Sequence, residues 1–385
     1  MSEIRKIYII HALVGLTTAA SITFTLYFLS HGLSQLQIAQ LFSLFMISLA
    51  ILDIPTGGLA DMFGHKHSVA WGMFLQAVSF LLFYFIPTYH GFMLGMLASA
   101  AGLAFISGAL SSLVYDLLHK DNLQDEFQKI LGRANMYLLL SGVIAAPLGA
   151  FVYTYYPKLP YFFAFLCFML ANLVCLSIKS EFKKKPRSLT RYVKSLAHGI
   201  RLTLKNRILM ATVIIGIALT TNRMIFNQNI NQPYLLAAGI NIVYIGFIGA
   251  LVSVAQAYIS LHAHTISKKW GRSTSLLIII GVPSVAVLAL GFMHSYLVVP
   301  VIMMLHMGHV FRNTVLEHIV QDEVDADMRS TMASSASFFI SIVVGLLLPY
   351  GGKSIDMFGL HLTLIYLGIF TAGLGIVGFG MYRRS

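Results

Sequence analysis

Long apolar stretches alternate with short polar connections from one end of the chain to the other. A helix crossing the roughly 30 Å hydrocarbon core of a bilayer needs about 20 mostly apolar residues, because each residue rises about 1.5 Å. Stretches of that kind lie near residues 5–29, 36–56, 68–87, 91–118, 130–154, 159–178, 207–234, 242–265, 273–293, 295–317, 330–350 and 358–382. The pattern predicts an all-α membrane protein of about twelve transmembrane helices. A membrane β-barrel would show alternating ten-residue segments instead. The first span runs straight into the second without a small-residue cleavage site, so no cleavable signal peptide is expected.

Composition agrees. The chain is 57% hydrophobic and 10% charged, against roughly 25% charged in soluble domains. Lys and Arg crowd one set of alternate connections: Arg5, Lys6, Lys66, Lys120, Lys129, Arg133, the 179–207 cluster, Lys268, Lys269, Arg272, Arg329, Arg383 and Arg384. The other set holds Lys158 and Lys353. Basic loops stay cytoplasmic, which predicts a multi-pass protein of the cytoplasmic membrane with both termini inside. The net charge of +12 follows from this topology. It gives a nucleic-acid partner no basic soluble domain to hold.

The most polar stretch separates six spans from six, so the chain divides into halves 1–178 and 207–385 with a linker at 179–206. Within the linker Leu189, Tyr192, Val193, Leu196 and Ile200 recur at three- and four-residue spacing beside Arg191, Lys194, Arg201 and Lys205. That suits a helix on the headgroup layer, with the basic 183–205 segment facing anionic lipid; a solvated linker helix fits as well. The halves echo each other about 200 residues apart. Gly64-His65 answers Gly271-Arg272, Pro147-Leu148-Gly149-Ala150 answers Pro349-Tyr350-Gly351-Gly352, and Arg133 answers Arg329.

The connection after the second span reads Gly57-Gly58-Leu59-Ala60-Asp61-Met62-Phe63-Gly64-His65-Lys66. It resembles the loop between the second and third helices of the major facilitator superfamily, Gly-x-x-x-Asp-Arg-x-Gly-Arg-Lys/Arg. Gly57, Asp61, Gly64 and Lys66 fit; Met62 and His65 replace the two arginines. The resemblance implies a secondary transporter with two pseudo-symmetric six-helix halves, each of nested inverted triplets. It also implies a conformational latch at Gly57, Asp61, Gly64 and Lys66, with Arg329 at the start of the eleventh span as partner. Asp61 capping its own loop is the plainer alternative. The Arg-bearing fourth-span motif of proton-driven drug exporters is missing, and the fifth-span motif of drug antiporters is matched only by Gly142, Pro147 and Gly149.

One charge fits no span end. Arg223 lies sixteen residues into the seventh span, about 24 Å from its start. A buried ionisable group costs a few to more than ten kcal/mol unless it faces a cavity, the interior or a partner. Arg223, Asn227 and Asn231 recur every four residues and so share one helical face. The tenth span adds His306, His309 and Arg312, and Gln256 in the eighth lies at compatible depth, as do Thr17, Thr18 and Ser21 in the first. Candidate substrate ligands are therefore Arg223, Asn227, Asn231, His306 and Gln256. Candidate proton carriers are His306, His309 and Asp116, since histidine titrates near neutral pH. Neutral hydrogen bonding is the commoner fate of such histidines, and capping or pairing that of Asp116 and Asp53.

No mid-membrane carboxylate neutralises Arg223, which points to an anionic or carboxylate-bearing organic solute. A multidrug exporter of lipophilic cations and a non-transporting sensor with a carrier's fold are the rival readings. The sequence holds no His-Glu-x-x-His, Gly-x-Ser-x-Gly or Walker-type loop, so neither an enzyme nor direct ATP use is expected. No cofactor or metal is expected either, and a monomer suffices. Cys167 and Cys175, eight residues apart on one helix, are about 12 Å apart, beyond disulfide reach.

Overall fold

A computed structural model describes residues 2–120, 123–179, 189–324 and 328–384. Every regular element among them is helical. The first predicted span is broken into α1 (Ser2–Leu16), α2 (Thr18–Ser21) and α3 (Phe24–Ser30), bent by 42°. There follow α4 (Gln35–Phe63), α5 (His65–Phe85), α6 (Tyr89–Ile106), α7 (Ala109–Lys120), α8 (Phe127–Tyr155) and α9 (Leu159–Leu176). After the linker come α10 (Leu189–Lys205), α11 (Arg207–Ile225), a π-helical turn (Phe226–Ile230) and α12 (Asn231–Ala237). The chain ends with α13 (Ile242–Trp270), α14 (Arg272–Leu290), α15 (Val298–Glu323) and α16 (Arg329–Arg383).

Nine described helices are long and apolar enough to cross a membrane, ten with the bent first pair. α16 holds two helices merged across Gly359, whose φ of 78° breaks the helix, and α15 carries polar residues along its length. Large side chains such as Leu261, 80% exposed, and Trp71, 60% exposed, form an outer surface suited to lipid.

Two elements are longer than the hydropathy pattern implies. α4 stays helical through Gly57 to Phe63, and α13 runs on to Trp270. The expected ten-residue loop shrinks to Gly64, at φ 96°, and its counterpart to Gly271, at φ 78°. Only glycine takes that left-handed turn without strain. Gly32 and Gly239, at φ 81° and 82°, end the first and seventh spans in the same way. Both pairs are 207 residues apart, so the repeat read from sequence echoes returns in backbone geometry.

The chain folds as two compact units. The first comprises Met1–Gly32, Leu44–Tyr192 and Ile242–Ala250. Its aromatic core contains Tyr27, Phe28, Phe83, Phe92 and Tyr161, all essentially inaccessible to solvent, and Tyr27 stacks on Tyr161 at 4.0 Å. Small residues bring α8 against the first span: a Cβ on Gly149 would collide with the Ala19 backbone. Cys167 and Cys175 are free and buried here.

The second unit comprises Leu33–Ser43, Val193–Asn241 and Leu251–Ser385. Its core joins Ile215 and Leu219 of α11 to Leu276 and Ile279 of α14 and Phe311 and Val315 of α15. The end of α10 packs here: Gly199 has no room for a Cβ beside Ser335, and Thr203 is buried. One face of the last turns of α10 is thus covered by α16. Residues 180–188 and the side chain of Asp61 lie outside the described residues.

Candidate functional site

Asn206 opens α11 by accepting the N–H groups of Ile208 and Leu209 at 2.9 and 3.1 Å, the usual service of an N-cap. The helix stays regular for nineteen residues and then widens into the π turn at Phe226–Ile230. Such single-turn widenings recur at functional sites. Arg223, Asn227 and Asn231 are all half-buried while Asn222, Asn229 and Gln232 are buried. The π turn lies between Arg223 and Asn231, so the four-residue spacing no longer fixes their common face.

α15 brings up the second set. His306 and His309 are buried, their rings 6.5 Å apart, and His306 meets Phe226 edge-on at 6.1 Å. Arg312 donates from Nη1 to Thr220 at 2.8 Å, and from Nε and Nη2 to Asn313 at 3.2 and 2.7 Å. Arg223 is near enough to His306, His309 and Arg312 for their charges to interact. Among the described residues neither guanidinium has a carboxylate at salt-bridge distance.

Polar atoms buried without a partner inside the protein concentrate here. Among the described residues, eight of ten such atoms belong to Thr221, Asn222, Arg223, Asn227, Asn229, Asn231 and His309. Both ring nitrogens of His309 and Nε of Arg223 are among them. A buried donor or acceptor left unmade costs about 1–3 kcal/mol, so the cluster is strongly disfavoured unless something polar completes it. The unmatched atoms are one guanidinium N–H, four amide oxygens, a hydroxyl and two imidazole nitrogens, a cationic wall able both to donate to a solute and to accept from it.

The side chain of Gln256, half-buried on α13, makes no hydrogen bond among the described residues. Asp116 lies in the first unit, 2.6 Å from His65 Nδ1, and Asp53 accepts from Ser107 at 3.1 Å. His65 stands where the family pattern carries Arg, and its ring nitrogen meets the Asp116 carboxylate. Lys66 offers its carbonyl to the Cys175 thiol at 3.6 Å. Arg329 is exposed, donates to the Val324 carbonyl, and lines a cavity of about 430 Å³ with Thr212, Glu317 and Ser337. Sequence reasoning missed Thr220 as the anchor of Arg312, and Thr371, which accepts from Asn222 at 2.9 Å.

Stacked membrane-length helices, a repeated backbone plan and a charged wall inside one unit define a polytopic helical membrane carrier. The sequence profile of the Major Facilitator Superfamily matches residues 7–349, and the chain belongs to that family. An uncharacterized MFS-type transporter of Methanocaldococcus jannaschii, MJ1560, is 24% identical over 255 residues, 65% of this chain and 64% of that protein. Another, YxaM of Bacillus subtilis, is 26% identical over 235 residues, 59% and 57% of the two chains. The alignments thus span about three-fifths of these relatives' length. The fold is also that of the nucleoside transporter NupG, with TM-score 0.86, 13% identity and full coverage of both chains. A bacterial homolog of the human lysosomal transporter Spinster gives TM-score 0.79 at 13% identity, covering 100% of this chain and 97% of that one.

Proposed function

We propose that this family member is a secondary transporter of a small organic anion, working by alternating access, with Arg223 as the principal ligand. The observation that carries this reading is the buried Nε of Arg223, without a partner among the described residues and accompanied by other such atoms on the same helix. A carboxylate or similar acid would accept from the guanidinium by charge-assisted hydrogen bonds, while the unpartnered amide oxygens of Asn227 and Asn231 would accept from a donor group on the same solute. His306 and His309 stand beside the same wall and are the groups through which a proton could be coupled to transport. The bilayer is the medium of the reaction, and the basic linker favours its anionic lipids.

The test is charge movement in proteoliposomes challenged with matched anionic, neutral and cationic organic solutes. Anion-selective currents that disappear with Arg223→Ala support the reading. Currents carried by cationic solutes that survive the substitution overturn it and return Arg223 to a structural role.

A further inference from the structure

Between α8 and α9 the chain reverses within four residues. Tyr156 donates its N–H to the Val152 carbonyl at 2.8 Å and accepts the Leu159 N–H at 3.0 Å. Pro157 takes the second position of this turn, where its locked φ fits without strain, and Lys158 follows at φ −81° and ψ −26°. The turn lines a cavity of about 590 Å³ with Tyr155, Tyr84, Ser30 and His31, all of the first unit. It lies on the side opposite the basic loops, where the connections carry Lys158 and Lys353. His31 commits its Nδ1–H to the Tyr27 carbonyl at 2.8 Å. The Lys158 ammonium and the phenols of Tyr84, Tyr155 and Tyr156 make no hydrogen bond or ion pair among the described residues. No carboxylate is among the residues lining the cavity.

We propose that this cavity binds the headgroup of an anionic phospholipid in the leaflet opposite the basic loops, with Lys158 paired to the phosphate. Three observations converge on it. The uncommitted groups are one cation and three hydroxyls able to donate, the set from which phosphodiester oxygens accept. A choline or ethanolamine headgroup would gain cation–π contact with the tyrosine rings. Lys158 in the same wall repels that cation and no carboxylate answers it, so net negative charge fits better. Next, tyrosines concentrate where bilayer meets water, and here three of them gather beside one cation at a span end. Finally, apolar stripes begin at the cavity. Leu148, Phe151 and Tyr155 of α8 and Leu159, Phe163 and Leu166 of α9 are all exposed, and their spacing keeps each set on one helical face. Tyr155 and Leu159 belong to both stripe and cavity. Acyl chains laid along these faces would hang from a headgroup in the cavity, a continuity that a soluble anion leaves unused. The bound lipid would join the end of the first span, the end of α5 and the α8–α9 turn, and so stabilise the first unit by mass action. The site stands apart from the Arg223 wall and does not depend on the identity of the solute.

The experiment uses the full chain in proteoliposomes containing a trace of phosphatidylglycerol that carries a photoreactive diazirine on its headgroup. Crosslinked peptides are mapped by mass spectrometry, and label is expected on Tyr84 and on residues 155–159. Lys158→Gln should lower that label about fivefold, the size of one basic residue at a lipid surface, while Lys158→Arg keeps it. Tyr155→Phe combined with Tyr156→Phe should lower it on the order of tenfold, by removing two donors to a charged group. Excess phosphatidylglycerol without the diazirine competes, and phosphatidylcholine does not. Label that survives Lys158→Gln overturns the proposal, as does an equal fall in Lys158→Gln and Lys158→Arg. A matched phosphatidylcholine probe that labels the same residues equally well overturns it too. So does free glycerol phosphate that competes as well as the lipid, which assigns the cavity to a soluble phosphate ester.

Discussion

The break in the first span and the π turn in the seventh occupy corresponding places, 207 residues apart, and treat their polar side chains in opposite ways. Around the first break the hydroxyls of Thr17, Ser21 and Thr23 are satisfied locally. Thr17 donates to Val14 at 2.7 Å, Ser21 to Thr18 at 3.3 Å and Thr23 to Ala20 at 3.2 Å. Aromatic rings close over it, and Tyr27 donates to the Phe83 carbonyl at 2.9 Å. Around the second, charged and amide groups are buried with lone pairs or N–H groups unmatched. Two copies of one plan have thus diverged: the first was filled with satisfied packing, and the second kept unmet polar capacity. An unmet polar group costs stability, so its retention in one copy marks where a solute is expected to bind.

The sharpest way to break this contrast is to exchange its consequences. Arg223→Ala should lower transport on the order of a hundredfold, the scale of deleting a buried charged partner. Thr17→Ala and Thr23→Ala should change it less than about twofold, because they remove neutral local bonds. Initial uptake rates in proteoliposomes decide this. Equal losses in the two copies would erase the distinction.

Stability should respond in the reverse sense. Gly149→Val drives side-chain atoms into the Ala19 backbone, and overpacking of this kind costs about 1–3 kcal/mol. Melting of the detergent-solubilised protein should fall by several degrees, with transport rate per folded molecule kept. His309→Leu removes two orphaned nitrogens at similar volume. It should leave melting unchanged or raise it by up to about 1 kcal/mol equivalent, while transport drops about tenfold. A residue that stabilises when lost and disables when lost is the signature expected of a site.

How much of this could be read from the chain depends on which forces set each feature. Arg223 stands out because a bilayer makes any mid-span charge expensive, so no structure was needed to single it out. His306 and His309 follow from helical spacing alone. The π turn has no such mark: Phe226-Asn227-Gln228-Asn229-Ile230 contains neither Gly nor Pro, and only the run of amides hints at irregular backbone. Gln256 is not placed by depth alone, because equal depth does not fix which way a helix faces. Gly57-Gly58 reads as a loop, but Leu59, Ala60, Met62 and Phe63 are adequate helix formers, and two glycines cost only about 1 kcal/mol each. The hydrogen bonds from the Gln35 and Leu36 N–H groups to the Asp356 carboxylate are invisible because they join residues 321 and 320 positions apart, a distance that only tertiary packing closes.

The smallest effect lies in the first unit, far from any proposed ligand in chemical character. Glu3 accepts the Lys179 N–H at 3.0 Å and the Lys6 ammonium at 3.0 Å. The Lys179 backbone bond, more than the Lys6 contact, holds its carboxyl below the ordinary carboxylate range against a partial opposing effect of burial. A group depressed in the folded state stabilises above its unfolded pKa, about 4.3 for Glu, and loses that contribution as pH falls through the folded value. Glu3→Gln should therefore lower the melting temperature slightly at pH 7, by under about 2 °C for so exposed a contact. Below the folded-state pKa of Glu3 the variant and parent should melt together, because both then carry a neutral side chain. Transport at pH 7 should be unchanged, since the contact serves the filled copy of the repeat. A transport defect in Glu3→Gln at neutral pH would show that the first unit does more than support the second.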